Sequence, residues 1–96
     1  MKQLIVIDGN HFDSIKSFYK EIDRLLTKGL KWETGHNLNA FNDLLRGGFG
    51  VYEYEEEVEV KWVNFSRSRN TLGQEMTDIL LEIISKHPHI DFKKEE

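Results

Sequence analysis

Residues 35–50 read GHNLNAFNDLLRGGFG, and this stretch decides the fold. Its apolar residues recur at helical spacing and predict one buried helix face, made of Leu38, Phe41, Leu44 and Leu45. Asn37 is suited to cap the amino end, because its side chain can accept a hydrogen bond from a backbone N–H. Gly47 and Gly48 then supply the left-handed stop that ends many helices. The pattern therefore predicts a central helix from about Asn37 to Arg46.

The polar face of this predicted helix carries unusual residues. Asn39, Asn42, Asp43 and Arg46 fall opposite the apolar face. Asn and Asp are poor helix formers, because their short side chains compete for backbone hydrogen bonds. Local rules tend to be broken where function requires it. The pattern alone leaves two interpretations open, a binding face or an ordinary surface helix.

The same stretch resembles the signature of the barstar family, which are intracellular protein inhibitors of small secreted ribonucleases. The matching positions are Gly35, Asn37, Leu38, Ala40, Phe41, Asn42, Asp43, Leu45, Arg46, Gly47, Gly48, Phe49 and Gly50. The resemblance implies an α/β fold, a barstar-like two-layer domain whose three-stranded parallel sheet has helices packed on one face. It also implies a protein that binds and does not catalyse.

The resemblance further implies a partner and a set of contact residues. The family inserts an acidic helix and the preceding loop into the basic, phosphate-binding active site of a ribonuclease, where carboxylates take the place of RNA phosphates. Asp43 matches the principal acidic anchor of the family. Asn39 stands where the type member has a second aspartate, and Asn42 where it has a tryptophan. Glu33 and Thr34 occupy loop positions that are aromatic in the type member.

The remaining contacts implied by the resemblance surround this helix. They are expected at Gly35, Asn37, Arg46, Gly47 and Gly48. A further acidic contact belongs to the loop before the last helix, predicted here at residues 70–73. That loop holds no acid, so the contact is either missing or supplied by Glu75.

Composition restricts the classes of partner. The chain has 96 residues, no cysteine and a formal net charge of −4. Its length predicts one domain over residues 1–96. An acidic chain lacks the basic face that nucleic-acid binding normally needs, whereas a basic protein would be attracted to it. The first apolar run is too short for a signal peptide or a membrane span. We therefore expect a cytoplasmic protein that binds neither nucleic acid nor membrane. The resemblance implies that its partner is a small basic ribonuclease, and we expect a monomer.

The rest of the chain predicts alternating strands and helices. Strands are expected at 3–7, at 58–62, where Val58, Val60 and Trp62 alternate with charged residues, and at 89–93. A helix capped by Asp13 is expected to reach about Lys28.

The final third of the chain predicts a short turn of helix at 66–70 and then a longer helix. Thr71 and Gln74 have capping-box spacing at its start, and it should reach about Lys86. Its inward face is predicted to consist of Met76, Ile79, Leu80, Ile83 and Ile84. The last residues, 94–96, are expected to fray.

Three other interpretations compete with inhibition. His36, near Glu33 and Asp43 in sequence, has the groups of an acid–base pair, but no nucleophile or phosphate-binding motif accompanies it. His87 and His89 flank Pro88 as a weak metal-binding pair, or else lie in an exposed turn. We expect no enzymatic activity, cofactor or metal. The third alternative is a barstar-like interaction module with a different protein partner.

Overall fold

A computed structural model describes residues 2–27 and 37–96. The three strands in these ranges pair in parallel in the order β1-β2-β3, and the helices lie between them in the chain, so the predicted α/β fold class is confirmed. The elements are β1 (Gln3–Asp8), α1 (Ile15–Leu26), α2 (Leu38–Arg46), β2 (Val58–Val63), α3 (Phe65–Leu72), α4 (Gln74–Ser85) and β3 (Ile90–Lys94).

The sheet is covered on one face. Val58, Val60 and Trp62 on the central strand β2 are fully buried, whereas the residues between them are half-buried. On β1 the outward-facing Leu4 and Val6 are 51% and 38% exposed. Because successive strand residues point to opposite faces, this alternation places the helices on the side of Trp62, as the period-two pattern predicted.

The core beneath the helices is aromatic. Trp62 stacks on Phe18 of α1 with ring centroids 5.6 Å apart, and Phe41 of α2 meets Phe18 edge-on at 5.5 Å. The buried indole N–H of Trp62 donates to Ser68 Oγ at 3.0 Å. These contacts attach α1, α2 and α3 to the central strand and fix where α2 lies.

Both ends of α1 differ from the prediction. Ser14, and not Asp13, caps the helix: its hydroxyl accepts from the Ser17 backbone N–H at 3.1 Å, and Ser17 Oγ accepts from the Ser14 backbone N–H at 3.0 Å. This reciprocal pair satisfies two backbone donors, which a single aspartate does not. The helix ends at Leu26, because Thr27 is already extended. The expected end at Lys28 lies outside the described residues.

The region before α4 also differs. It forms a helix, α3, where the sequence predicted a single short turn at 66–70 and a loop at 70–73. Thr71 therefore lies inside α3, with its hydroxyl donating to the Ser68 carbonyl at 3.3 Å, so the predicted capping box is wrong. Gly73, with φ +91°, separates α3 from α4 without a side-chain cap.

The buried face of α4 is rotated from the predicted one. Its fully buried residues are Thr77, Leu80 and Ile84, and Ile79 is only half-buried. Thr77 tolerates burial because its hydroxyl donates to the carbonyls of Gly73 and Gln74.

The last residues of the chain, expected to fray, form hydrogen bonds in the structure. The Glu95 N–H donates to the Trp62 carbonyl at 2.8 Å, and the Phe65 N–H donates to the Glu95 carbonyl at 2.9 Å. Arg69 donates to the Glu96 carboxylate at 3.0 Å. Within residues 2–27 and 37–96, no helix has both the length and the apolar character needed to cross a membrane.

Candidate partner-binding site

Helix α2 presents a polar face on a fixed support. Asn37 caps its first turn, because Asn37 Oδ1 accepts from the Ala40 N–H at 2.8 Å. The apolar side of the helix is buried against the core. Asn39, Asp43 and Arg46 are exposed on the other side. The structure thus brings these three predicted site residues onto one accessible face.

The Asp43 carboxylate is exposed on this face. It forms no hydrogen bond or ion pair with any residue that the structure describes. A binding partner therefore does not have to break an ion pair within residues 2–27 and 37–96 to reach it. Its chemistry suits a cationic or N–H donor group of another molecule.

The carboxyl end of α2 is held by two side chains. The Leu45 carbonyl accepts from the Tyr52 hydroxyl and from His89 Nε2, each at 2.8 Å. Burial raises the pKa of Tyr52 to about 12, so its phenol remains a donor at neutral pH. The Arg46 carbonyl accepts from the Glu55 N–H at 2.6 Å. These bonds satisfy carbonyls that a helix end otherwise leaves without partners.

The two glycines after α2 have different requirements. Gly47 has φ +92° and ψ −169°, a conformation almost restricted to glycine. A Cβ there would collide with the Glu53 carbonyl and lie 2.7 Å from the Tyr52 ring. Gly48 has φ +86°, but the nearest atom to its Cβ position is Tyr54 Cβ at 3.9 Å. Gly47 therefore allows the loop to pack against the helix. Gly48 adds no side chain to the adjacent surface.

Asn42 is half-buried and its side chain contacts His87, whereas Asn39 and Asp43 on the same helix are exposed. The Asn42 Oδ1 lies 2.8 Å from His87 Nε2, and because Oδ1 carries no hydrogen, Nε2 is the donor. His87 is buried, and burial, followed by nearby His89 and Arg46, lowers its pKa against the opposing effect of Glu55. The neutral imidazole is thus the favoured form in the fold.

The sequence interpretations of the His-Pro-His segment need correction. His87 does not lie in an exposed turn, and the Nε2 atoms of His87 and His89 are both committed to α2. Among the described residues, no group of three or more His, Cys, Asp or Glu is placed to hold a metal. Sequence reasoning missed the role of His87 in supporting α2. A signal was present, because Thr77, Leu80, Ile84 and His87 continue one helical stripe.

The remaining predicted site residues are Glu33, Thr34, Gly35 and Glu75. The first three lie outside the described residues, as does His36. Glu75 is exposed in the first turn of α4. Measured along the helix axis, it lies roughly 15 Å from Ser85, the last residue of α4.

Comparison with known protein families matches residues 2–90 to the family described as Barstar (barnase inhibitor). A search of curated proteins finds no match. The family match covers nearly the whole chain and agrees with the parallel three-stranded sheet and its helices. The chain therefore belongs to the barstar family.

Proposed function

We propose that this chain inhibits a small basic ribonuclease by placing the exposed face of α2 in the enzyme's phosphate-binding site. Asp43 is the anchor of this face. The observation that carries the proposal is its exposed carboxylate, which is unpaired among the described residues, on a helix held at both ends in a member of a family of barnase inhibitors. By the same resemblance, the face extends to Asn37, Asn39 and the two glycines Gly47 and Gly48.

The physical basis is preorganisation. A phosphate-binding site holds converging cations, and a carboxylate that enters it exchanges hydration for charge-assisted hydrogen bonds. Because the Asn37 cap and the Tyr52 hydroxyl fix both ends of α2, little backbone freedom is lost when Asp43 is bound. The net charge of −4 also favours encounter with a basic enzyme.

The test is a calorimetric titration against a small basic secreted ribonuclease of the same organism, with RNA cleavage followed in parallel. Asp43→Asn should weaken binding at least 30-fold (about 2 kcal/mol), the general threshold for a dominant interface residue, for which the family's type inhibitor is itself a standard example. Asp91→Asn removes the same charge from an exposed position on β3 and should leave binding nearly unchanged. An Asp43→Asn variant that binds as tightly as the parent would refute the assignment of the anchor.

A second function is favoured by the mixed charge of the same face. Asn39 brings no charge, and Arg46 is an exposed cation one turn from Asp43. A barstar-like interaction module with a partner other than a ribonuclease would also fit such a surface. Failure of the parent protein to bind or inhibit any small basic ribonuclease would favour this module.

A further inference from the structure

A surface cleft of about 430 Å³ lies between α2 and the turn after α4. Its lining includes Asn42, Arg46, Glu55, Lys86, His87 and His89. Asn42 immediately precedes Asp43 in the chain, so the cleft adjoins the proposed binding face. The function proposed above does not use it.

The carbonyls near the cleft are already satisfied. Two helices end here, and a helix carboxyl end normally attracts cations through its free carbonyls. At the end of α2, the Leu44 carbonyl accepts from the Gly47 N–H, and the Leu45 carbonyl accepts from Tyr52 and His89. The Arg46 carbonyl accepts from the Glu55 N–H. At the end of α4, backbone N–H groups of residues 86 and 87 bond to the carbonyls of residues 83 and 84. This leaves few acceptors for a cationic ligand.

The polar groups that remain are mainly donors. His87 occupies Asn42 Oδ1, and the Asn42 amide nitrogen has no hydrogen-bond partner among the described residues. Arg46 is exposed and forms no side-chain ion pair within that part of the chain. Within the described ranges, the Lys86 ammonium forms one ion pair, with Glu82 at 3.8 Å. Apart from its histidines, the lining has two cations and one carboxylate, Glu55, a net charge of +1 in a chain of net charge −4.

We propose that this cleft receives an acidic side chain of the ribonuclease partner, with Arg46 binding its carboxylate and Asn42 donating to it. The inference rests on the proposed function and adds a second contact of opposite charge beside Asp43. Arginine suits this role, because its planar guanidinium offers parallel N–H donors to a carboxylate. His87 is a positioning residue: it holds the Asn42 oxygen inward, which leaves the amide N–H groups for the partner.

Arg46 can affect binding through the overall charge of the chain or through a direct contact in the cleft. Removing its charge changes the affinity for the ribonuclease in opposite directions in these two cases. If Arg46 acted only through the overall field, Arg46→Gln would make the inhibitor more acidic and tighten binding to a basic enzyme. The cleft proposal predicts instead that Arg46→Gln weakens binding to the ribonuclease tenfold or more, the loss expected for a charge-assisted hydrogen bond. Lys16→Gln, an equal charge change at an exposed position on α1, is the control for the field effect and should bind like the parent or slightly more tightly. Equal or tighter binding of Arg46→Gln would overturn the proposal.

The role of His87 is tested through Asn42. His87→Ala should weaken ribonuclease binding in the parent but cause no further loss in an Asn42→Ala background. His87→Gln keeps an N–H near the position of Nε2 and should restore most of the binding. Circular dichroism of each variant confirms that it is folded. An equal loss from His87→Ala in both backgrounds would exclude positioning through Asn42.

A measurement on the free protein separates this inference from the proposed function. In NMR titrations with N-acetyl-glutamate amide, the Asn42 side-chain amide and Arg46 Nε–H signals should shift saturably in the millimolar range, and Arg46→Gln should abolish the effect. N-acetyl-glutamine amide, the neutral analogue, should cause no such shift. Absence of a carboxylate-specific shift would overturn the cleft proposal even if the ribonuclease binds. A clear shift in a protein that binds no ribonuclease would support the cleft and refute the inhibitor function.

Discussion

The Leu45 carbonyl at the end of α2 offers a test of how that helix is held. Tyr52 and His89 each donate to this one oxygen at 2.8 Å, and Leu45 is 1% exposed. Tyr52→Phe or His89→Phe removes one donor and keeps a ring, so each variant should lose about 1 kcal/mol of unfolding free energy, the usual net value of a hydrogen bond. In a domain of this size, such a loss lowers the melting temperature by about 4–8 °C.

The double variant should lose more than the sum of the two. With both donors gone, the carbonyl is buried without a partner, which adds a desolvation penalty of about 1–3 kcal/mol. We therefore expect a coupling energy of about 1–2 kcal/mol in a double-mutant cycle.

Urea denaturation followed by circular dichroism measures all four proteins of the cycle. Tyr54→Phe is the matched control, because Tyr54 is 60% exposed, and it should change stability by less than about 0.5 kcal/mol. If the losses from Tyr52→Phe and His89→Phe add without coupling, the two side chains do not share the Leu45 carbonyl in solution.

Three further results are expected. Gly47→Ala should cost at least twice as much unfolding free energy as Gly48→Ala (about 1 kcal/mol), because only at Gly47 would the Cβ meet other atoms; equal losses in urea denaturation would contradict this. Ser68→Ala should cost about 1–3 kcal/mol, because the buried Trp62 indole N–H loses its acceptor, and a loss no larger than that of an exposed serine would exclude the bond. Because burial lowers the pKa of His87 below its usual 6.5, the unfolded chain binds a proton more readily, so stability should fall as pH drops below about 6.5. His87→Gln should flatten that part of the stability–pH curve, and an unchanged slope would assign the effect to other groups.

The elements that the sequence predicts well are those where local and tertiary effects agree. In α2 the apolar spacing, the Asn37 cap and the glycine stop all indicate the same helix, and its bounds match to within one residue. In β2 the alternation of valines and Trp62 with charged residues predicts a strand with one covered face. Each signal lies within ten residues of the element that it defines.

The errors have both local and tertiary causes. Asp13 and Ser14 are both good caps, and the reciprocal Ser14–Ser17 pair, only three residues apart, distinguishes them. Helix α3 has weak helical periodicity, but its Arg67 donates to the carbonyls of Phe12 and Gly9, which lie 55 and 58 residues earlier in the chain. Such long-range contacts depend on groups brought together by the tertiary fold, and propensity does not report them.

The candidate site illustrates the same division. Family resemblance points to Asp43 as the proposed anchor, because of its position in the motif. Resemblance says little of Asn42, where the type member has a tryptophan. Asn42 becomes interpretable only through His87, which lies 45 residues further along the chain and fixes its amide. A position that departs from the family pattern is thus explained by an internal contact that the motif does not include. For this reason the cleft beside α2, rather than the shared anchor, is where the preference of this chain for a particular partner should be sought.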